Sequence, residues 1–308
     1  MGSRLDGAWR SNALVGARPR HFNLKAAFNM ATTAPAGFDV ALLREAIRTT
    51  YEQVALDPNG IFHFHRGRAY AVDVLGYDPA ELDALPLHAT ERFAGVGNPL
   101  QIGPIEPGET VLDHACGAGM DLLLAARRVG VTGRAIGVDI TAGMRAVAQR
   151  AAYQAGLGKR VTIRAGSYED LPVLSDSIDV VISNGVVNLA PDKRRVFSEI
   201  WRVLKPGGRL YLADVVVARE LKLETRQQPE LWAACIAGAL PESELVSVAG
   251  EAGFADAQSL AHFDCFAGTS AEHKVSRDLR VRSVNFFARK PRTQTSKSPP
   301  PSKPPSSP

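Results

Sequence analysis

The segment Val111-Leu-Asp-His-Ala-Cys-Gly-Ala-Gly-Met-Asp121 constrains this chain more than any other. A short apolar run ends in an acid, a loop of small residues follows, and helical spacing begins at Gly119. A strand that turns so abruptly into a helix is the first half of a strand–helix–strand crossover. The alternation then repeats. Thr110–His114, Arg134–Ile140, Val161–Ala165, Ile178–Asn184 and Arg209–Val217 read as strands. Gly119–Val129, a segment from Thr141 to near Gly156, and Asp192–Leu204 read as helices, with Thr141 as a cap and Pro206-Gly207-Gly208 halting the last. A helix near Glu242–Ala252 precedes two final strands, about Ala257–Phe263 and Val281–Ala288. Strands and helices alternating at these lengths imply an α/β fold: a doubly wound, mostly parallel seven-stranded sheet over residues 100–290.

Residues 31–99 read as a helical N-terminal cap. Its clearest element, Val40–Val54, places Leu43, Ile47, Tyr51 and Val54 at helical spacing. In folds of this kind ligands bind beyond the carboxyl ends of the strands, and the cap is expected to cover them. The two ends of the chain differ from the body. Residues 1–30 lack apolar periodicity, are rich in Arg and poor in acids, and are expected to be a poorly ordered extension, with Met30 as an alternative start and a transit peptide as the competing reading. Residues 291–308 are almost all Pro, Ser, Thr and Lys, a composition that cannot bury apolar area, and are expected to be disordered. The ends also carry the positive charge. Residues 1–30 sum to +4 and residues 289–308 to +5, so a chain of net charge +4 has a body of −5. An acidic body argues against a nucleic-acid partner. No apolar run reaches the ~18 residues of a membrane span. Three cysteines among 308 residues cannot form a disulfide scaffold. The expected compartment is the cytoplasm.

The small-residue loop has a companion in Asp139, twenty residues beyond Gly119 at the end of the next strand. An acid there is placed to accept hydrogen bonds from two ribose hydroxyls. A dinucleotide site would require glycine at position 122, where this chain has Leu122, and Asp113 before the loop would repel a pyrophosphate. A nucleoside carrying a positive amino acid satisfies both facts, and S-adenosylmethionine is such a ligand. Three later segments fit the same ligand: Ala165-Gly-Ser-Tyr-Glu-Asp-Leu-Pro172, Asp179-Val-Val-Ile-Ser-Asn184 and Arg202-Val-Leu-Lys-Pro-Gly-Gly-Arg-Leu210.

With these segments the chain strongly resembles the class I S-adenosylmethionine-dependent methyltransferases, with their Rossmann-like sheet. Phe93-Ala-Gly-Val-Gly-Asn-Pro99, Gly137-Val-Asp-Ile-Thr141, Ile182-Ser-Asn-Gly-Val-Val-Asn-Leu-Ala-Pro-Asp-Lys193 and Leu231-Trp-Ala-Ala-Cys-Ile-Ala-Gly-Ala-Leu240 are similar to the arsenite methyltransferase-like group. The resemblance implies that Asp113, Ala115, Gly117 and Gly119 hold the methionine end of the cofactor, with Ala115 standing where the family usually has Gly. It implies that Asp139 and Ile140 meet the ribose, that Tyr168 and Glu169 flank the adenine, and that Ser183 and Asn184 line the sulfonium region.

Arsenite methyltransferases hold trivalent arsenic through several cysteine sulfurs, because a soft centre prefers sulfur to oxygen or nitrogen. Here Val96 and Gly185 occupy two positions where the family usually has Cys. Only Cys235 matches. Cys116 belongs to the cofactor loop, and Cys265 follows a late strand, within reach of the pocket. The substrate-lining set read from sequence is therefore Tyr51, Val96, Gly185 and Cys235. It implies a small-molecule methyl acceptor other than free arsenite. Arsenite delivered as a thiol complex is the alternative, and a cofactor-binding module without turnover is another. Phe62-His63-Phe64-His65 alternates with strand period; ordinary histidines are expected there, since no spacing supplies further zinc ligands.

Overall fold

The computed structural model describes residues 32–269, 272 and 279–292. The expected extension over residues 1–30 and the tail from residue 293 lie outside the described residues. The sheet is built of β1 (Thr110–Asp113), β2 (Arg134–Asp139), β3 (Val161–Ala165), β4 (Ile178–Asn184), β5 (Leu204–Val217), β6 (Leu240–Pro241), β7 (Ala255–Phe263) and β8 (Arg282–Arg289). Its order is β3-β2-β1-β4-β5-β8-β7, with the two-residue β6 paired to β5 off that path. The seven expected strands are all present, and β6 is an addition too short to leave a sequence pattern. Strands β1 to β5 run parallel, whereas β8 is antiparallel to both β5 and β7. Chain order reverses between β1 and β4, which opens a crevice at their carboxyl ends.

Four helices precede the sheet: α1 (Val40–Leu56), α2 (Gly67–Asp73), α3 (Pro79–Asp83) and α4 (Leu87–Thr90). Asp39 starts α1 by accepting the Leu42 amide at 2.8 Å, and Leu43, Ile47, Val54 and Ala55 form its buried stripe. Each such aliphatic side chain contributes roughly 1.5–3 kcal/mol when fully removed from water. The crossover helices are α5 (Met120–Arg128), α6 (Ala142–Gln154) and α7 (Lys193–Val203). Two short turns follow, α8 (Leu223–Arg226) and α9 (Pro229–Ala233), and then α10 (Glu242–Glu251).

Two local readings are corrected. Thr141 occupies the position before α6, but its side chain does not cap that helix. It is held by Asp139 instead, which accepts the Thr141 amide at 2.8 Å. Pro206-Gly207-Gly208 lies inside β5 rather than between elements. The register with β4 jumps there from Ile178↔Leu204 to Val180↔Arg209, so the three residues form a bulge.

The apolar side chains of α2 to α4 have no core of their own. Tyr70, Leu75, Tyr77 and Leu82 share one cluster with Leu122, Leu123 and Val180 of the sheet layer. Helix α1 divides its buried face between two other clusters. Leu43 and Ile47 pack with Trp232, Cys235 and Cys265, while Val54 and Ala55 pack with Ala118 and Met144. It therefore lies across the crevice like a roof beam.

Candidate active site

The crevice holds a cavity beneath α1, lined by residues of the Gly-rich loop, the carboxyl ends of β1, β2 and β4, and Tyr51 and Ile47 of the roof. The loop is shaped by Gly119, whose φ of +92° lies in the left-handed region open to glycine. A Cβ at Gly119 would stand 3.1 Å from the Cβ of Ala148, so this residue also sets how closely α5 and α6 pass.

Three buried carboxylates line this cavity: Asp113, Asp121 and Asp139. Asp139 accepts the amides of Gly117 at 2.9 Å and Thr141 at 2.8 Å, one on each oxygen. Those bonds fix the carboxylate at the rim and leave each oxygen a further lone pair. Asp121 accepts the Tyr77 hydroxyl at 2.7 Å and the Asn184 amide at 3.0 Å. Burial pushes Asp121 up to about 6 and Asp139 above the ordinary range. Asp113 is raised further, by burial first and then by the charges of Asp121 and Asp139. None of the three has an ion-pair partner among the described residues. Such a set repels phosphate and stabilises a cation, so the residues present fit a positively charged nucleoside and not a dinucleotide.

Asn184 does two jobs. Its Oδ1 accepts the Val96 amide at 2.8 Å, which ties the Gly95-Val96-Gly97 loop to the end of β4, while its Nδ2 reaches Asp121. His114 stays neutral, since burial lowers it to about 4. Its Nε2 lies 3.3 Å from the Tyr168 carbonyl, which can only accept, so the proton sits there and Nδ1 accepts from the Ser183 hydroxyl at 3.2 Å. Both ring nitrogens are therefore committed within the sheet.

The structure brings Asp113, Ala115, Gly117, Gly119, Asp139, Ile140, Tyr168, Asn184, Gly185 and Tyr51 to one cavity. It separates four others from it. Ser183 points to the opposite face of β4, as strand alternation requires, and is taken by His114. Glu169 lines a neighbouring groove, where it accepts from Arg44 of α1 at 2.5 Å and from the Asp192 amide at 3.3 Å. Val96 and Cys235 lie one layer back, in the apolar cluster that also holds Cys265 and Trp232. The Cys235 thiol is pushed far up, by burial first and then by Asp214 and Cys265; Cys265 is pushed up to about 12 by burial. Both are protonated thiols at neutral pH. Cys235 also adopts a positive φ of 61°, rare for a residue with a side chain.

Gly185 offers less room than the loss of a side chain suggests. A Cβ there would meet Val96 Cγ1 at 3.4 Å, an ordinary contact distance, so the Val96 isopropyl group bounds the space. The φ of Gly185 is +75°, which strains any other residue. Phe62 to His65 form no strand; His63 Nε2 lies 3.0 Å from the Ala233 carbonyl and His65 Nε2 2.6 Å from that of Ala267, so each binds the loop carrying one of the two rear cysteines. Asp121 was not singled out from sequence. Its signal is an acid in the first turn of an otherwise apolar helix start, Met120-Asp-Leu-Leu-Leu-Ala-Ala126, a position that faces back to the strand ends. Tyr77, Lys193 and Asp214 left no such mark. Asp214 is buried and orders the turn after β4 by accepting the amides of Val187 and Asn188 at 2.6 and 3.1 Å. Lys193, lowered to about 7 by burial, donates to the Ala190 carbonyl at 2.9 Å and lies 4.6 Å from the Trp232 ring centre.

A doubly wound sheet with its cavity at the strand reversal, an acid pinned beside a glycine loop and two further buried carboxylates defines a nucleoside-cofactor enzyme. The methyltransferase domain family matches residues 105–261, and the chain belongs to that family. It is 39% identical over 219 residues to an arsenite methyltransferase of Halobacterium salinarum, covering 70% of this chain and 55% of that protein. The human arsenite methyltransferase is 38% identical over 155 residues, covering 47% and 40% of the two chains. The chain spans about half the length of the curated relatives it matches. Among solved structures it is similar to an arsenic(III) S-adenosylmethionine methyltransferase from Chlamydomonas reinhardtii, at 35% identity and a TM-score of 0.61, covering 70% of this chain and 73% of that one.

Proposed function

We propose that this chain transfers a methyl group from S-adenosylmethionine to a small-molecule acceptor with a nucleophilic sulfur, oxygen or nitrogen, and that it is a poor methyltransferase for free arsenite. The observation that carries the reading is the contact between positions 96 and 185. Where the arsenite enzymes usually place two sulfurs, an isopropyl group packs against a glycine. Cys235, the remaining matched thiol, is buried behind that contact. The cofactor supplies an electrophilic methyl carbon on a sulfonium, and the acceptor displaces the thioether in line. Asp113 and Asp121 stabilise positive charge at the loop end, and Asp139 holds the ribose. The chain's main contribution is then alignment, since a bimolecular displacement becomes unimolecular once both partners are fixed. Tyr51 sits between the two ends; burial first, then Cys235 and Asp139, raises its hydroxyl. It therefore stays protonated and acts as a hydrogen-bond donor rather than a base.

The test is to supply purified protein with labelled cofactor and a panel of thiols, phenols and amines, with arsenite plus excess glutathione in parallel. Turnover of an organic acceptor with no methylated arsenic in the mass spectrum is the expected result. Robust turnover of arsenite that vanishes in Cys235→Ser restores the arsenic assignment. A variant carrying Val96→Cys alone is the informative gain-of-function test, because the positive φ at Gly185 strains any cysteine placed there.

A further inference from the structure

One lateral row crosses three strands of the sheet: Asn184 of β4 lies opposite Ala213 of β5, and Ala213 lies opposite Asn285 of β8. Residues directly opposite share a face, so two asparagines stand on either side of a small residue. The Gly95-Val96-Gly97-Asn98 loop sits in the saddle between them. A Cβ at Gly97 would come 2.8 Å from the Cβ of Ala213 and 2.9 Å from Asn285 Oδ1, so glycine is required by the close approach.

The side chains of that saddle bind every peptide N–H and C=O from Val96 to Asn98. Asn184 Oδ1 accepts the amides of Val96 at 2.8 Å and Gly97 at 3.2 Å, and its Nδ2 donates to the Gly97 carbonyl at 2.9 Å. Asn285 Oδ1 accepts the Asn98 amide at 3.1 Å, and its Nδ2 donates to the Asn98 carbonyl at 3.0 Å. The remaining carbonyl, that of Val96, accepts from the Ser283 hydroxyl, two residues before Asn285 on the same face of β8. Ser283 and Asn285 are both buried, where a polar side chain is costly unless bonded, and both spend their polar groups on this one loop. The loop and both side chains lie outside residues 105–261, which the methyltransferase domain family matches.

The loop is part of the wall. Ala94 and Gly95 line the cavity, and Val96 bounds the space beside Gly185. We propose that Ser283 and Asn285 are positioning residues for methyl transfer: they hold the 95–98 loop on the sheet and so fix the acceptor wall relative to the methyl carbon. Neither lines the cavity itself. Asn184 shares the grip but also reaches Asp121 at the loop end, so β8 supplies the part that is separate from the cofactor. The proposal rests on an acceptor seated at the Val96–Gly185 end, as proposed above. A misplacement of ~1 Å can cost about a hundredfold in rate, so a loosened wall should be felt in transfer before it is felt in cofactor binding.

The full chain is first given S-adenosylmethionine with thiophenol, phenol, aniline, or arsenite with glutathione, and the compound that wild-type protein methylates fastest becomes the probe. In Ser283→Ala and in Asn285→Asp, kcat for that probe is expected to fall about ten- to a hundredfold. The cofactor dissociation constant, read by calorimetry, should change less than about twofold. Hydrogen exchange should quicken in a peptide spanning residues 95–98 and stay unchanged in one spanning residues 117–119. Ser283→Ala removes a single hydroxyl and carries the test by itself should Asn285→Asp not fold. Full kcat despite quickened exchange would show that the place of this wall does not govern transfer, and overturns the proposal. Equal losses of kcat and cofactor affinity, with exchange quickened in both peptides, would make the two residues general supports of the fold and overturn it too. So would unchanged exchange with unchanged kcat. If arsenite proves to be the probe, the acceptor reading has failed while the positioning role is still measured. No turnover of any probe sinks both, and shows itself before any substitution.

Discussion

The two ends of the cavity are built from different materials. At the loop end, charged side chains are held in place by backbone amides and by one another: Asp139 by Gly117 and Thr141, Asp121 by Tyr77 and Asn184. At the other end the lining is apolar, with Gly185, Val186 and Leu189 at the cavity and Val96, Trp232, Cys235 and Cys265 packed behind. Charged groups fixed this way recognise one ligand and tolerate little change. An apolar wall recognises shape, and shape can be altered by single substitutions without disturbing the fold. A methyltransferase can therefore keep its cofactor while its acceptor changes, and Val96 and Gly185 fall on the side where change is tolerated.

The strongest way to break that contrast is at the rear wall. Trp232 is fully buried, donates from Nε1 to the Arg226 carbonyl at 2.7 Å, lies 5.2 Å from Phe38 and covers Lys193. Trp232→Ala should cost about 3–5 kcal/mol of stability, read as a lowered melting temperature of the free protein. A loss below about 1 kcal/mol would mean that this wall adapts easily and does not fix an acceptor's shape.

The loop end should respond in affinity rather than stability. Asp139, proposed to hold the ribose, would accept two charge-assisted hydrogen bonds from it, each worth roughly 1.5–3 kcal/mol. Asp139→Ala should weaken S-adenosylmethionine by at least about tenfold, with ~1.4 kcal/mol per factor of ten. Wild-type affinity in that variant would remove the ribose assignment. The pH dependence sharpens the same point. Burial raises Asp121 from the ordinary carboxylate range to about 6. In the free protein the folded state binds this proton more tightly than the unfolded chain does, so stability should rise as pH falls through 6 towards 4. Cofactor binding should do the reverse, because a bound cation favours the ionised form. Affinity is expected to fall by up to about tenfold between pH 7 and pH 5, with protons released on binding near pH 6. Calorimetry in two buffers of different ionisation enthalpy reads that release directly, and a flat profile would detach Asp121 from the ligand.

The same contrast explains what sequence could disclose. Strand and helix alternation repeats over many residues, so β3 and β4 begin and end where the spacing places them. Asp113, Gly117, Gly119 and Asp139 were legible because each is a polar or permissive residue at a fixed distance from a strand end. Asp121 was not, because an acid in a first helical turn is usually a surface residue favoured by the helix dipole. Glu169 was legible as an acid after β3, but its direction was not. That depends on Arg44, 125 residues earlier in the chain. The approach of Val96 to Gly185 was equally hidden, since 88 residues separate the Val96 amide from the Asn184 side chain that positions it.

The smallest expected effect tests where the charged end stops. Arg44 stands on the roof helix, 50% exposed, and its partner Glu169 is 9% exposed. Two opposed consequences follow from Arg44→Ala. The ion pair that helps hold α1 over the cavity is lost, and an exposed pair of this kind contributes about 0.2–1 kcal/mol. At the same time Glu169 is released to accept from an adenine amino group. A second tie remains, because Glu52 of α1 accepts the Gly143 amide at 3.0 Å, so the helix should stay in place. The cofactor dissociation constant should therefore shift less than about fivefold, within what ~1 kcal/mol allows. Association and dissociation should both quicken, because the roof opens more readily in both directions. Stopped-flow measurement of the two rates separates these consequences from a simple loss of contact. A loss of tenfold or more, carried by dissociation alone, would show that the Arg44–Glu169 pair itself contacts the cofactor and that the charged end extends across the adenine.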